Sequence, residues 1–194
     1  MVIDMPTSND RGNKKVVTRS DRASLDVYQL ISMLPVSPYH EVADVGCGAG
    51  DLSIPLGKSV YRGKVTALDT VKKDLKTARR KLKENRLTNV QVKYVEDISK
   101  LILEDNSLDG ALTAFLFQES DRPKEVLKDV SRCIKKGGWL AIIESTVRNV
   151  GGRSDPRGQN VSLQDCRRTA EATGFTFYMR RSLSNAAYLV LFTK

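Results

Sequence analysis

The residues best suited to chemistry lie in a glycine-rich stretch at residues 44–50, which reads Asp-Val-Gly-Cys-Gly-Ala-Gly. Glycines spaced as G-x-G-x-G let the backbone turn tightly and approach a ligand closely, and a helix that follows presents unpaired N–H groups. A dinucleotide fingerprint would need glycine or alanine at position 51, where this chain has Asp51. Because an acid at a helix start repels a pyrophosphate, the stretch favours a phosphate-free nucleoside ligand that carries an amino-acid tail.

Two further carboxylates follow at spacings that suit the same ligand. Asp69 comes about 20 residues after the glycine-rich stretch, where a carboxylate can accept hydrogen bonds from both ribose hydroxyls. Taken alone, Asp69 is equally well explained as a cap of the next helix. Asp97 could accept a hydrogen bond from an adenine amino group while Ile98 packs on the ring; the alternative for residues 96–98 is a polar turn without a ligand.

The hydrophobic pattern places these residues at the ends of strands. We predict strands at 41–45, 64–68, 90–95, 108–115, 139–143, 175–182 and 187–193. Predicted helices cover 25–34, 51–60, 71–85, a segment containing 126–134 that is closed by Gly137-Gly138, and a segment from Ser162 to Gly174. This order predicts an α/β fold with a doubly wound, mostly parallel, seven-stranded Rossmann-like sheet. The last connection is too short for a parallel crossover, so we expect a C-terminal antiparallel strand.

Composition and charge limit the class of protein. We expect a mobile arm at 1–20 and one domain at 21–194, with no apolar run long enough to span a bilayer and no secretory signal. Cys47, Cys133 and Cys166 lack metal-ligand spacing, so no metal site is predicted and a reducing cytoplasm is the simplest location. The net charge is +9, but the cations of the helix at 71–85 fall opposite its apolar positions, which is typical of a solvated face.

The motifs resemble those of the class I S-adenosylmethionine-dependent methyltransferases, over residues from about 40 to 194. The resemblance is to the broad, methyltransferase type 11-like branch that includes the ubiquinone and menaquinone biosynthesis methyltransferases. Residues 44–50 resemble the family's first motif, 65–69 its acidic ribose-binding strand end, and 96–98 its adenine-binding turn. Residues 106–109 resemble the family's stretch that leads into the fourth strand, and residues 126–140 resemble the helix, glycine pair and strand that come after it.

The resemblance implies S-adenosyl-L-methionine as the cofactor and S-adenosyl-L-homocysteine as its product. The implied cofactor-binding residues are Asp44, Gly46, Cys47, Gly48, Gly50, Asp69, Thr70, Asp97, Ile98, Thr113, Ala114 and Phe115. In this set the three glycines flank the methionine tail, and Asp44 lies near its amino group. The backbone from Thr113 to Phe115 lines the cofactor.

Two departures from the family pattern bear on catalysis. Residues 117–120 read Phe-Gln-Glu-Ser where this branch often has a histidine, and the only histidine, His40, precedes the first strand. Lys135-Lys136 replaces a lysine–proline pair, which is a minor structural change. If a general base is needed, Glu119 is the better candidate and Asp121 the second; the alternative is that both are surface carboxylates.

The sequence therefore predicts an enzyme that transfers a methyl group in line to a small molecule. We expect residues 1–34, 115–121 and 146–161 to select the acceptor. Neither Asn/Asp-Pro-Pro-Tyr nor Pro-Cys follows the fourth strand, which disfavours attack on base amines or on a pyrimidine ring. The alternatives are an RNA or protein methyltransferase that docks through its basic surface, and a module that binds the adenosyl cofactor without catalysis.

Overall fold

The computed structural model of this chain describes residues 26–145, 162–184 and 187–194. Its strands are β1 Glu41–Val45, β2 Lys64–Asp69, β3 Val90–Tyr94, β4 Leu108–Ala114, β5 Ile134–Ser145, β6 Thr176–Ser182 and β7 Ala187–Thr193. Its helices are α1 Val27–Ser32, α2 Ser53–Ser59, α3 Lys72–Glu84, α4 Leu116–Glu119, α5 Pro123–Cys133 and α6 Leu163–Glu171. The arm predicted at 1–20 and the acceptor loop predicted at 146–161 lie outside the described residues.

The strands form one seven-stranded sheet in the order β3-β2-β1-β4-β5-β7-β6. Strands β1 to β5 are parallel, and β7 runs antiparallel to both of its neighbours, β5 and β6. This confirms the predicted Rossmann-like sheet with a C-terminal antiparallel strand. The antiparallel strand is β7, one position in from the edge.

Helices cover both faces of the sheet, as the doubly wound pattern requires. Leu30 of α1, Leu56 of α2 and Leu75 of α3 pack into one apolar cluster with alternate side chains of the strands. Leu127 of α5 and Cys166 of α6 pack into the cluster on the opposite face. Within the described part of the chain, no helix has the length and apolarity needed to cross a bilayer.

The prediction that Gly137-Gly138 closes the helix containing 126–134 is wrong. Helix α5 ends at Cys133, because Ile134 already has extended geometry (φ −78°, ψ 137°) and pairs with Leu108 of β4. Gly137 and Gly138 instead lie inside β5, where the register against β4 shifts. The left-handed φ of +80° at Gly137 suits glycine at such an irregularity.

The predicted strand at 108–115 ends one residue early, at Ala114. Phe115 has φ 60° and ψ 25°, a left-handed conformation that is uncommon for a residue with a side chain. The chain then forms the short helix α4, which the sequence pattern did not predict. The helix predicted from Ser162 is present as α6, and the side-chain oxygen of Ser162 caps it by accepting the N–H of Asp165 at 3.0 Å.

A substitution at Gly110 tests the close packing between β4 and β5. Gly110 pairs with Trp139 of β5, and a Cβ added at position 110 would lie 2.0 Å from the indole Cε2 atom. We expect Gly110→Ala to lower the free energy of unfolding by about 1–3 kcal/mol through overpacking. Urea denaturation measures this change, with Lys76→Ala on the exposed face of α3 as the control. A stability equal to that of the wild type would contradict the close packing.

Candidate functional site

The glycine-rich turn follows β1 and is fastened to the end of β2. Gly46 N and Cys47 N both donate to Leu68 O, at 2.9 and 3.0 Å. Because the strand order reverses between β1 and β4, the loops that follow these two strands diverge and leave a crevice. The turn therefore lies where the fold leaves room for a ligand.

Glycine is required in this turn by geometry. Gly48 has φ 52°, and a Cβ added there would contact nothing within 4 Å, so its backbone faces open space. Gly50 has φ 81°, and its added Cβ would lie 3.0 Å from the Cβ of Ala78 in α3. One glycine thus leaves the backbone open to a ligand, and the other permits close packing against a helix.

Asp69, at the end of β2, is hydrogen bonded to the turn and to the start of α3. Its Oδ2 accepts the N–H of Gly48 at 2.8 Å, and its Oδ1 accepts the N–H of Val71 at 2.8 Å. A carboxylate has about four lone-pair sites, so both oxygens retain capacity for further donors. Asp69 therefore braces the glycine turn and remains able to accept hydrogen bonds from a ligand.

Asp44 is almost fully buried beneath the turn. The hydroxyl of Ser53 donates to its Oδ2 at 2.5 Å. Burial is the main cause that raises the pKa of Asp44 to about 6; the nearby charges of Asp69 and Asp51 also raise it, and the Ser53 hydrogen bond lowers it. A cation placed beside Asp44 would relieve this unfavourable environment.

A cavity of about 920 Å³ opens over the turn, near the upper end of the range for small-molecule sites. It is lined by Val27, Leu30, Asp44, Val45, Gly46, Cys47, Gly48, Ala49, Asp51, Leu52, Asp69, Thr70, Val71, Asp74, Ile98, Thr113, Ala114, Phe115, Leu116, Glu119, Ser120 and Ile143. Of the predicted site residues, only Gly50 and Asp97 are absent from this lining; Asp121, the second candidate base, is absent too.

The charge of this lining is one-sided. Among the described residues that form it, five are acidic (Asp44, Asp51, Asp69, Asp74 and Glu119) and none is Lys, Arg or His. The whole chain, by contrast, carries a net charge of +9. The cavity is therefore suited to a cation and unsuited to a phosphate group.

Asp97 is engaged elsewhere, although it remains a predicted adenine contact. Its Oδ1 accepts the N–H and the hydroxyl of Ser99, and its Oδ2 accepts a hydrogen bond from Arg122 at 3.1 Å. The hydrogen bonds from Ser99, and to a smaller extent the contact with Arg122, lower the pKa of Asp97 to about 2. In this arrangement the neighbouring Ile98, not Asp97, reaches the cavity.

Four wall residues fall within the ranges that the sequence predicted to select the acceptor. Val27 and Leu30 of α1 lie in 1–34, and Leu116 and Ser120 lie in 115–121. Sequence reasoning missed Ile143, because the apolar pattern of β5 gives no sign of which residue faces a ligand. Cys47 lies among the glycines, and burial raises the pKa of its thiol, which therefore stays protonated at neutral pH. Cys47 is thus a wall residue and is unsuited to act as a nucleophile.

Comparisons with known proteins agree with this geometry. The sequence profile of a family described as "Methyltransferase domain" matches residues 43–142. A demethylmenaquinone methyltransferase of Listeria welshimeri is 32% identical over 125 residues, which cover 64% of this chain and 52% of that relative. The chain thus spans about half the length of the curated relatives it matches.

Solved structures show the same fold. A SAM dependent methyltransferase from Aquifex aeolicus is 26% identical, with 90% of this chain and 93% of that chain covered at a TM-score of 0.78. A protein of Pyrococcus horikoshii is 21% identical, with 91% and 92% covered at a TM-score of 0.74. This second likeness concerns the fold alone.

Asp44→Asn tests the environment of the buried carboxyl group. The pKa of Asp44 in the folded chain is about 6, above its ordinary value of 3.8. Its contribution to stability is therefore complete below pH 4 and is lost as the pH rises through 6. We expect the unfolding free energy of the wild type, measured relative to Asp44→Asn, to fall by about 2 kcal/mol between pH 4.5 and 7.

Urea denaturation at the two pH values measures this difference. Glu104→Gln removes an exposed carboxylate remote from the cavity and serves as the matched control. A difference between wild type and Asp44→Asn that is the same at both pH values would show that Asp44 titrates normally.

Proposed function

Because the chain belongs to the family of methyltransferase domains, we propose that it transfers a methyl group from S-adenosyl-L-methionine to a small-molecule acceptor. The family match confirms the resemblance drawn from the motifs and the predicted class of enzyme. We propose S-adenosyl-L-methionine as the methyl donor because the related Aquifex aeolicus structure is that of a SAM dependent methyltransferase. The acceptor and the activity of the whole protein are proposals, as are the roles of single residues.

The observation that carries the proposal is a cavity lining around a glycine-rich turn whose described residues include five acidic side chains and no Lys, Arg or His. One of the five, Asp51, is paired with Lys81, which lies outside the lining. S-adenosyl-L-methionine bears a sulfonium and an ammonium group, and it has no phosphate. Nucleotides and dinucleotides with the same adenosine would bring phosphates against these carboxylates. The charge of the cavity therefore supports an adenosyl ligand of positive charge.

The described residues fit this cofactor at each of its parts. Asp44, whose ionised form is disfavoured by burial, would hold the ammonium group near the backbone of Gly46 and Gly48. Asp69 would accept hydrogen bonds from the ribose hydroxyls while it braces the turn. Ile98 would pack on the adenine ring, and the backbone of Thr113 to Phe115 would close the other side.

The bound cofactor supplies an activated methyl group, since its sulfonium leaves as a neutral thioether. The protein has to hold the acceptor in line with the methyl group and keep water away. Such orientation accounts for about 7–11 kcal/mol of a barrier. Leu116 and Ile143 offer apolar walls for this task, and Glu119 stands at the same wall with a carboxyl group that can accept a proton from the acceptor.

The apolar walls favour an acceptor with a flat, apolar ring. Val27 and Leu30 of α1 add to the surface formed by Leu116 and Ile143. The curated relatives include demethylmenaquinone methyltransferases. We therefore propose a hydroxylated aromatic ring of the demethylmenaquinone kind as the acceptor. The free thiols of the three cysteines fit a reducing cytoplasm as the place of action.

Radiolabelled S-adenosyl-L-methionine tests this choice directly. Transfer of label to reduced demethylmenaquinone would support the proposed acceptor. Label transferred instead to another fraction of a cell extract would identify the acceptor class and overturn it. A protein that binds the cofactor but labels no fraction would be the non-catalytic module considered from the sequence.

One observation favours a macromolecular acceptor as the second candidate. Helix α3 contains seven Lys or Arg residues and two acidic residues, and most of the basic ones are exposed. An RNA substrate would use such a surface, and its binding would weaken steeply with salt. Label transfer to RNA that falls between 50 and 200 mM salt would favour this candidate.

Asp69→Asn is expected to weaken the binding of S-adenosyl-L-methionine by about 10- to 100-fold, the effect of losing hydrogen bonds to a charged group. Isothermal titration calorimetry measures the dissociation constant, and circular dichroism shows whether the variant is folded. Glu104→Gln, with its exposed carboxylate far from the cavity, should bind like the wild type. Equal affinities for wild type and Asp69→Asn would remove the ribose-binding role.

Glu119→Gln is expected to lower kcat by about 10²–10⁴-fold if Glu119 is the general base, with cofactor affinity unchanged. The matched control is Glu104→Gln, because Glu104 is exposed and lies outside the cavity lining. Single-turnover measurements of methyl transfer to the true acceptor show whether Glu119 acts as the general base. Unchanged turnover in Glu119→Gln would leave orientation alone as the source of catalysis.

A further inference from the structure

Glu144, near the end of β5, is a buried carboxyl group that no step of the proposed reaction uses. It is 0% exposed, on the same face of its strand as Leu140 and Ile142. Its Oε1 accepts the backbone N–H of Phe117 at 2.8 Å, and its Oε2 accepts a hydrogen bond from Nε2 of Gln118 at 3.2 Å. A carboxyl group so deeply buried has to be held by hydrogen bonds, because its desolvation is otherwise too unfavourable.

Both donors come from the region of α4, a helix of four residues that is too short to be stable by itself. The helix begins after Phe115, whose left-handed conformation persists only where surrounding contacts hold it. Phe115 N donates to Ile143 O at 2.7 Å. Two successive residues of β5, Ile143 and Glu144, therefore hold the start and the middle of this turn.

The two sides of α4 have different surroundings. Phe117 and Gln118 are buried and bonded to Glu144, whereas Leu116, Glu119 and Ser120 line the cavity. We propose that Glu144 and Gln118 form a latch, and that Glu144 is a positioning residue that sets this wall of the cavity for the acceptor. The inference rests on the proposed function, in which the wall formed by α4 meets the acceptor.

Exchanging the two side-chain types tests the latch. Glu144→Gln keeps an acceptor for the Phe117 N–H but replaces the charge-assisted hydrogen bond from Gln118 with a weaker amide pair that requires the Gln118 amide to turn over. Gln118→Glu sets two carboxyl groups together. The double variant Gln118→Glu/Glu144→Gln again pairs one amide with one carboxyl group. We expect amide hydrogen exchange at 116–119 to be about tenfold faster in each single variant, as for one lost hydrogen bond, and near the wild-type rate in the double variant.

Catalysis supplies a second readout that a purely structural role would not move. With reduced demethylmenaquinone as the acceptor, we expect each single variant to raise KM for this acceptor about tenfold, the double variant to recover, and the dissociation constant of S-adenosyl-L-methionine to stay within about twofold. Glu125→Gln on the exposed face of α5 is the control.

The outcomes separate the two proposals. If the wild type does not methylate demethylmenaquinone, the proposed acceptor fails, and hydrogen exchange at 116–119 still decides the latch. Single variants that exchange like the wild type would overturn the latch. So would a double variant that remains as impaired as the single ones.

Discussion

The accumulation of negative charge at one end of the sheet is the constraint on which the rest of this site depends. Five acidic side chains line a single cavity in a chain whose net charge is +9. Low-dielectric walls strengthen such a field at the place where a ligand enters. Burial is the main reason that the pKa of Asp44 is raised, and the negative charges of Asp69 and Asp51 add to it. A bound cation relieves that unfavourable arrangement, whereas a bound phosphate would make it worse.

The fold produces this arrangement through its topology. Reversal of the strand order between β1 and β4 separates the glycine turn from the wall formed by Phe115 and α4. Asp69 then joins two neighbouring strand ends, since it belongs to β2 and accepts the N–H of Gly48 after β1. The carboxylate that we propose as the ribose contact is thus also the one that fixes the glycine turn.

The mostly parallel sheet with its antiparallel C-terminal strand and the glycine-rich turn after β1 were predictable from sequence, because they depend on local signals. Alternating apolar positions and the short connection between β6 and β7 predicted the sheet, and glycine spacing with Asp69 predicted the turn. Residues 115–121 were expected to meet the acceptor, but the helix α4 within them was not predictable, because its position depends on a hydrogen bond to Glu144, 27 positions later in the chain than Phe117. The glycine pair was misread as a helix cap because Gly137 also suits an irregular strand, and only the pairing of Ile134 with Leu108 decides between them.

The most direct test compares two ligands that share adenosine and differ in charge. Calorimetric titration of the intact, folded protein with S-adenosyl-L-methionine and with ATP, at pH 7 and low salt, isolates the effect of the acidic cavity. The carboxylate lining predicts that S-adenosyl-L-methionine binds and that ATP does not compete with it. Binding of ATP in its place, or no binding of S-adenosyl-L-methionine, would contradict a site built for a phosphate-free, positively charged adenosyl ligand.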